Sequence, residues 1–170
     1  ETAIVMALNR LSFNLEFQHT QKIVRVIKNI GDITVRSNLT DYNFKVSETI
    51  LNNQSDILKK LKNINTSFYS SSRGVEECNI VVSDNLTSLI EENFGGELLI
   101  KKTEKLSAIS FKLPSENVSV PGIYYYVFQK LSWDGINISQ VISTSNEFTI
   151  LVSEDEVDNA FSVINKLKNI

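Results

Sequence analysis

The sequence predicts an α+β fold: a tandem of ferredoxin-like βαββαβ units behind an N-terminal helical segment. Three observations predict it. Strand-like alternation and helix-like stripes succeed one another in the order β-α-β-β-α twice, at a spacing of roughly 65 residues. The strands alternate apolar and polar residues, which calls for a sheet with helices on one face. The chain has 170 residues, 42% of them hydrophobic, enough for one medium domain or two small ones with packed cores.

Taken in order, Ile4, Val5, Leu8 and Leu11 follow helical spacing and predict a helix over residues 1–12. Phe13, Leu15 and Phe17 alternate as a short strand would. Thr20 stands where it can cap a second helix carrying Ile23, Val24, Ile27 and Ile30, and Gly31 is placed to end it. The chain opens Glu-Thr-Ala-Ile-Val-Met, in mid-helix and without an initiator methionine. Either a tag has been removed or an upstream segment is missing; residues 1–30 are expected to be a helical segment, in the second case the end of an upstream domain.

Two strands follow over residues 32–37 and 42–47, with a turn over 38–41. The first unit, residues 31–104, continues with a helix carrying Ile50, Ile57, Leu58 and Leu61 and a strand around Phe68. A strand with Cys78, Ile80 and Val82 comes next, then a helix with Leu86, Leu89, Ile90 and Phe94, and a strand over 97–101. The second unit, residues 105–170, opens on a strand presenting Ile109, Phe111 and Leu113. A helix from Pro121 to about Trp133 and strands over 137–144 and 147–152 complete its middle. The last helix carries Val157, Ala160, Phe161, Ile164 and Leu167 on one stripe. Ser153 and Glu156 have capping-box spacing, and Lys166 and Lys168 fall in the last turn, where the helix dipole favours cations.

The chemistry sits in the second unit. In Val120-Pro121-Gly122-Ile123, proline suits a first helical turn and glycine lets another group approach closely. Exposed N–H groups and the positive end of the helix dipole favour a carboxylate there. In Gly135-Ile136-Asn137-Ile138 the glycine reads as a left-handed helix C-cap and the isoleucines as core. Asn137 can offer its amide to a ligand or satisfy turn backbone. In Ile142-Ser143-Thr144-Ser145 the hydroxyls can bond a ligand or a neighbouring subunit. Of Tyr124, Tyr125 and Tyr126, consecutive on one helix, at least one must be exposed.

Together these three segments resemble the final ACT domain of an aspartokinase. The resemblance is specific over residues 105–170, looser over 40–104, and does not reach 1–30. It implies a regulatory module that senses a small molecule, usually an amino acid, at a contact between ACT units. The ligand-binding residues it implies are Val120, Pro121, Gly122, Ile123, Asn137, Ile138, Ser143 and Thr144. It also implies that the strand over 32–37 completes the second unit, and that units pair edge to edge in a homodimer. The first unit departs from the pattern. Ser47-Glu48-Thr49 stands where Pro-Gly belongs, and the Glu48 carboxylate would repel a ligand carboxylate.

Several functions are disfavoured. His19 is the only histidine and Cys78 the only cysteine, so no catalytic triad, CxxC or HExxH can be assembled. A non-enzyme without cofactor or metal is expected, with Cys78 a buried, inert thiol in a cytoplasmic protein. The net charge of −3 announces neither nucleic acid nor a membrane as a partner of these residues. DNA contact would come through a missing N-terminal domain, making the whole a transcriptional regulator. The alternatives are a regulatory subunit or domain of an aspartokinase-like enzyme, and a dimerisation module with no ligand.

Overall fold

The computed structural model describes residues 2–61 and 67–169, without the side chains of Thr2 and residues 11–19. Five helices, α1 (Thr2–Lys28), α2 (Ile50–Leu61), α3 (Thr87–Phe94), α4 (Ile123–Trp133) and α5 (Val157–Lys168), surround one sheet. Its strands are β1 (Ile33–Lys45), β2 (Tyr69–Arg73), β3 (Glu77–Ser83), β4 (Leu99–Lys112), β5 (Gln140–Ser143) and β6 (Glu147–Ser153). The order is β2-β3-β1-β4-β6-β5, and every pairing is antiparallel.

Two long strands generate this sheet. Residues 39–45 of β1 pair with β3 from Leu39 opposite Ser83 to Lys45 opposite Glu77. Residues 106–112 of β4 pair with β6 in the same register, from Leu106 opposite Ser153 to Lys112 opposite Glu147. Each half-strand is preceded by a residue at positive φ, Asn38 at 59° and Lys105 at 56°. The ladder between β1 and β4 shifts register near both. The chain is thus an internal duplicate in which each long strand serves both copies. The first half of β1 pairs with the second half of β4, Ile33 opposite Phe111, and supplies the fourth strand of the second unit. The first half of β4 does the same for the first unit, Lys101 lying opposite Asn43.

Four expectations are corrected here. Residues 32–37 and 42–47 are one strand, because the stretch 38–41, with Leu39 buried, is absorbed as a bulge between two partners rather than as a turn. Likewise the strands expected over 97–101 and 109–113 are the single strand β4, which runs through the Glu104–Lys105 junction. Phe13, Leu15 and Phe17 lie on α1, as does Thr20, so the expected strand and second helix start are one continuous helix. Helix α1 ends at Lys28, before Gly31. That glycine serves close approach instead: its N–H donates to the Lys112 carbonyl at 2.9 Å, and a Cβ would meet the Lys112 Cβ at 3.1 Å.

Three cores result. Helices α2 and α3 cover Tyr42, Phe44, Cys78, Ile80 and Val82. Helices α4 and α5, with Ile23, Val26, Ile27 and Ile30 of α1, cover Ile109, Phe111, Phe148, Ile150 and Val152. On the opposite face of the sheet, Leu39, Val81, Leu106, Ala108 and Leu151 pack with Phe68 and Ile142. That face is concave. Gln140 on β5 donates to Asn79 Oδ1 on β3 at 3.0 Å. Three strands separate β5 from β3, a distance of about 19 Å in a flat sheet. The sheet therefore curls until its edges approach, with its outside clad in helices.

Candidate functional site

Helix α4 begins on a turn without a capping side chain. Asn117 ties the preceding segment down, donating through Nδ2 to the Pro114 and Ser145 carbonyls at 2.9 Å each. Val120 donates its N–H to the Glu116 carbonyl at 3.2 Å and packs on the core beneath α4 and α5. Pro121 is exposed. Gly122 has φ 91° and ψ 2°, the values of the third residue of a type II turn. The helix starts two residues later than expected, at buried Ile123, because a left-handed residue cannot belong to it. Gly122, as N-cap, offers no side chain to the first N–H groups of α4.

The strand β5 delivers Ser143 to the same end of α4. Tyr124 Oη and Ser143 Oγ are hydrogen-bonded at 3.0 Å, and the Tyr124 ring stacks on Phe148 with centroids 5.0 Å apart. Thr144 accepts the Glu147 N–H on Oγ1 at 3.1 Å and donates its own N–H to the Glu147 carbonyl at 2.9 Å. It also lines a cavity of about 160 Å³ between the approaching sheet edges, with Phe68, Ser70, Ile142 and Glu147. Val120, Pro121, Gly122, Ile123, Ser143 and Thr144 thus share one end of the second unit.

Asn137 and Ile138 do not join them within one chain. The eleven residues of α4 put about 16 Å between its ends. Gly135, at φ 73°, closes the far end as expected: the Ile136 N–H reaches the Leu131 carbonyl and the Gly135 N–H the Ser132 carbonyl, both at 3.0 Å. Beyond it the Asn137 N–H is taken by Glu156 Oε1 at 3.2 Å, and Ile138 packs on the core. Glu156 therefore forms no capping box. Ser153 Oγ donates to its other carboxylate oxygen at 3.0 Å, and the pair braces the loop before β5.

In the first unit the matching end, before α2, already holds a carboxylate. Glu97, on the loop between α3 and β4, accepts from Ser47 Oγ at 2.5 Å on Oε2. Its Oε1 accepts from Thr49 Oγ1 and Asn53 Nδ2, both at 2.6 Å. Ser47 Oγ in turn accepts the Ile50 N–H at 3.1 Å. The sequence pointed to Glu48 as the obstacle here; the residue that fills the place is Glu97, some fifty positions away.

On the concave face Asp41 is buried, accepting from Asn79 Nδ2 and, at 3.4 Å, from Asn43 Nδ2. Burial pushes its carboxyl above the ordinary aspartate value, and the two amides oppose that rise without cancelling it. On the helical face, Tyr42 donates to Glu91 Oε1 at 3.1 Å beside an open groove of about 280 Å³ also lined by Phe44, Phe94 and Lys102. Burial, then the bond to Glu91, push the phenol up to about 12. Lys102 binds Glu91 at 2.9 Å and Glu104 at 2.6 Å, and these partners hold its ammonium well above the usual lysine value. Every charged group there is paired, which suits a structural cluster better than an acid–base pair.

Among the described residues no group of His, Cys, Asp and Glu is arranged to hold a metal ion. Cys78 is buried, and burial pushes its thiol up, away from the reactive thiolate. The His19 side chain lies outside the described residues. No helix of the described residues is long and apolar enough to cross a membrane.

No protein-family model matches the sequence, and no curated protein matches it. Solved structures do match the fold. The aspartate kinase of Clostridium acetobutylicum aligns over 79% of this chain at 17% identity and TM-score 0.63. This chain spans only about a third of that enzyme, 34% of its length. The chain has the fold of an aspartokinase regulatory region. A structure of aspartokinase α and β subunits aligns over 83% of this chain and 99% of its own, at 17% identity and TM-score 0.62. The ligand-free regulatory subunit of aspartate kinase from Thermus thermophilus aligns over 79% of this chain and 95% of its own, at 10% identity and TM-score 0.62. The ACT tandem read from three short segments is thus the fold of the whole duplicated core.

Proposed function

We propose that this chain is a non-catalytic, cytoplasmic regulatory module that binds a small carboxylate ligand, an amino acid, at a contact between ACT units. One observation carries the reading: the Pro121-Gly122 turn leaves the start of α4 without a side-chain cap, on a fold shared with aspartokinase regulatory subunits. The ligand carboxylate docks on the first N–H groups of α4, beside Val120, Ile123, Ser143 and Thr144. Asn137 and Ile138 sit too far along the same unit, so in this proposal they come from a second copy, in a homodimer joined at a sheet edge. The first unit does not take part, since Glu97 occupies its equivalent place. Binding then stabilises one arrangement of the units, and the regulated activity feels only the ligand's preference between arrangements.

The module serves either a transcriptional regulator, through a DNA-binding segment ahead of residue 1, or an aspartokinase-like enzyme as its regulatory subunit. The long helix α1, which the resemblance does not cover, supports the first; the near-complete coverage of the Thermus subunit supports the second.

Isothermal titration calorimetry against each proteinogenic amino acid tests the site. Heat from at least one of them is expected, with a rise in melting temperature. Both should vanish in Gly122→Val, whose branched side chain cannot hold φ 91° without strain, while circular dichroism shows the fold retained. Absence of heat and of any thermal shift with every amino acid would remove the sensor reading and leave a dimerisation module.

A further inference from the structure

The two units differ at one pair of equivalent positions, just ahead of their borrowed strands. Leu99 of β4 lies opposite Phe44, and Ile33 of β1 lies opposite Phe111. Phe44 and Phe111 hold the same place in the two ladders, so Leu99 and Ile33 do as well. Two residues before each stand Glu97 and Gly31. The first unit thus carries a carboxylate where the second carries no side chain. Gly31 has little room for one, since a Cβ there would meet the Lys112 Cβ at 3.1 Å. Lys168 Nζ donates instead to the Gly31 carbonyl at 3.2 Å, which brings a cation beside this position.

Glu97 is held as a bound carboxylate would be. Both of its oxygens are engaged, Oε2 by Ser47 and Oε1 by Thr49 and Asn53, and all three donors belong to the start of α2. The donors are neutral, so these are charge-assisted bonds without an ion pair. At the same offsets from the first residue of α4 stand Val120, Gly122 and Tyr126. Val120 and Gly122 have no side-chain donor, which leaves a carboxylate at that end to the backbone N–H groups. Glu97 also lines the open groove of about 280 Å³ beside Phe94 and Leu99, through which a small anion can reach the cradle from solvent.

We propose that Glu97 is a tethered stand-in for the ligand carboxylate: it keeps the first unit permanently occupied and leaves the second as the responsive one. This rests on the reading of the α4 turn as a carboxylate site, but its test addresses the first unit alone. Glu97→Gly vacates the cradle and should turn the start of α2 into a site for a free carboxylate. Thermal and urea unfolding of the full chain are followed in sodium acetate. Sodium chloride controls for ionic strength and acetamide for shape. The unaltered chain and Glu97→Gln, whose amide still fills the cradle, are the references. Acetate should stabilise Glu97→Gly beyond both control solutes and beyond its effect on either reference. At ten times its Kd the folding equilibrium constant should rise roughly tenfold. If Glu97→Gly is unfolded in chloride, recovery of its far-ultraviolet circular dichroism in acetate gives the same readout. Equal effects of acetate and chloride, a matching gain with acetamide or in either reference, or a variant that stays unfolded in acetate overturns the proposal. Acetate rescue without amino-acid heat at α4 would remove the sensor reading and leave Glu97 its role as occupant. Heat at α4 without rescue overturns this proposal alone.

Discussion

Glu97 shows how much a single side chain can hold when its partners come from elsewhere in the chain. Half-buried on the α3–β4 loop, it gathers three donors from the start of α2 and pins that loop to the helix. No local pattern marks it, because its partners lie 44 to 50 residues earlier. Replacement by alanine strips three charge-assisted bonds and should cost about 2 kcal/mol in urea unfolding. A loss below about 0.5 kcal/mol would mean that water replaces the carboxylate without penalty. Asp41 makes the opposite kind of prediction. Its folded-state pKa lies above the unfolded value, so the folded protein holds the Asp41 proton more tightly than the unfolded chain does. The stabilisation this gives is complete below the unfolded pKa and is lost as pH rises through the folded one. Asp41→Asn removes that dependence. Measured against wild type from about pH 3 to about pH 7, the variant's melting temperature should therefore gain relative ground as pH rises. A difference independent of pH would show that the amides of Asn43 and Asn79 fully offset the burial.

At the scale of elements, the two bulges set the geometry that turns a flat ladder into a curled one. Asn38 tolerates its left-handed conformation, whereas Lys105 in the matching place pays for it without a local hydrogen-bonding side chain. Lys105→Asn should stabilise by about 0.5 kcal/mol and Lys105→Val should destabilise by about 2 kcal/mol, read by denaturant midpoints. Equal stabilities for the two would show that the bulge relaxes when substituted. These bulges also mark the limit of what the sequence reveals. Strands β3 and β6 are legible because every second residue, Cys78, Ile80 and Val82 or Phe148, Ile150 and Val152, must be apolar to face the helices. Gly135 is legible because only a residue at ease with positive φ can close α4 in this manner. The continuity of β1 is not, since the Asn-Leu-Thr-Asp run over 38–41 resembles a turn until β3 and β4 supply partners on both sides. Of the candidate site, the Pro121-Gly122 turn is readable from its two residues. The Glu97 cradle and the 16 Å or so that part Asn137 from that turn emerge only from the fold.

For the whole molecule, strand exchange decides how stability is shared. Neither unit owns four strands: the second borrows the first half of β1, and the first borrows the first half of β4. Unfolding either unit would strip the other of a strand and leave its half of the β1–β4 ladder unpaired, and loss of the first half of β1 would also take Ile33 from the second core. The concave core crosses the same boundary, with Leu39 and Val81 from one unit packed with Leu106, Ala108 and Leu151 from the other. The Gln140–Asn79 bond adds a polar tie between outlying strands. Two repeated units would melt in two steps if they were merely adjacent, but these should melt in one. Native-state hydrogen exchange makes the comparison directly. Amides of β3 and β6, each central to its own unit, should exchange with the same opening free energy and the same denaturant dependence. A fragment covering residues 105–170 alone should fail to fold cooperatively, lacking both its fourth strand and the α1 residues of its core. Distinct opening energies for β3 and β6, or a folded fragment, would mean that the shared strands are a connection and not a common foundation. Cooperative unfolding has a functional corollary in the proposed sensor. A ligand at the α4 turn cannot tighten the second unit without tightening the first, so its effect reaches Glu97 and α2 through β1 and β4.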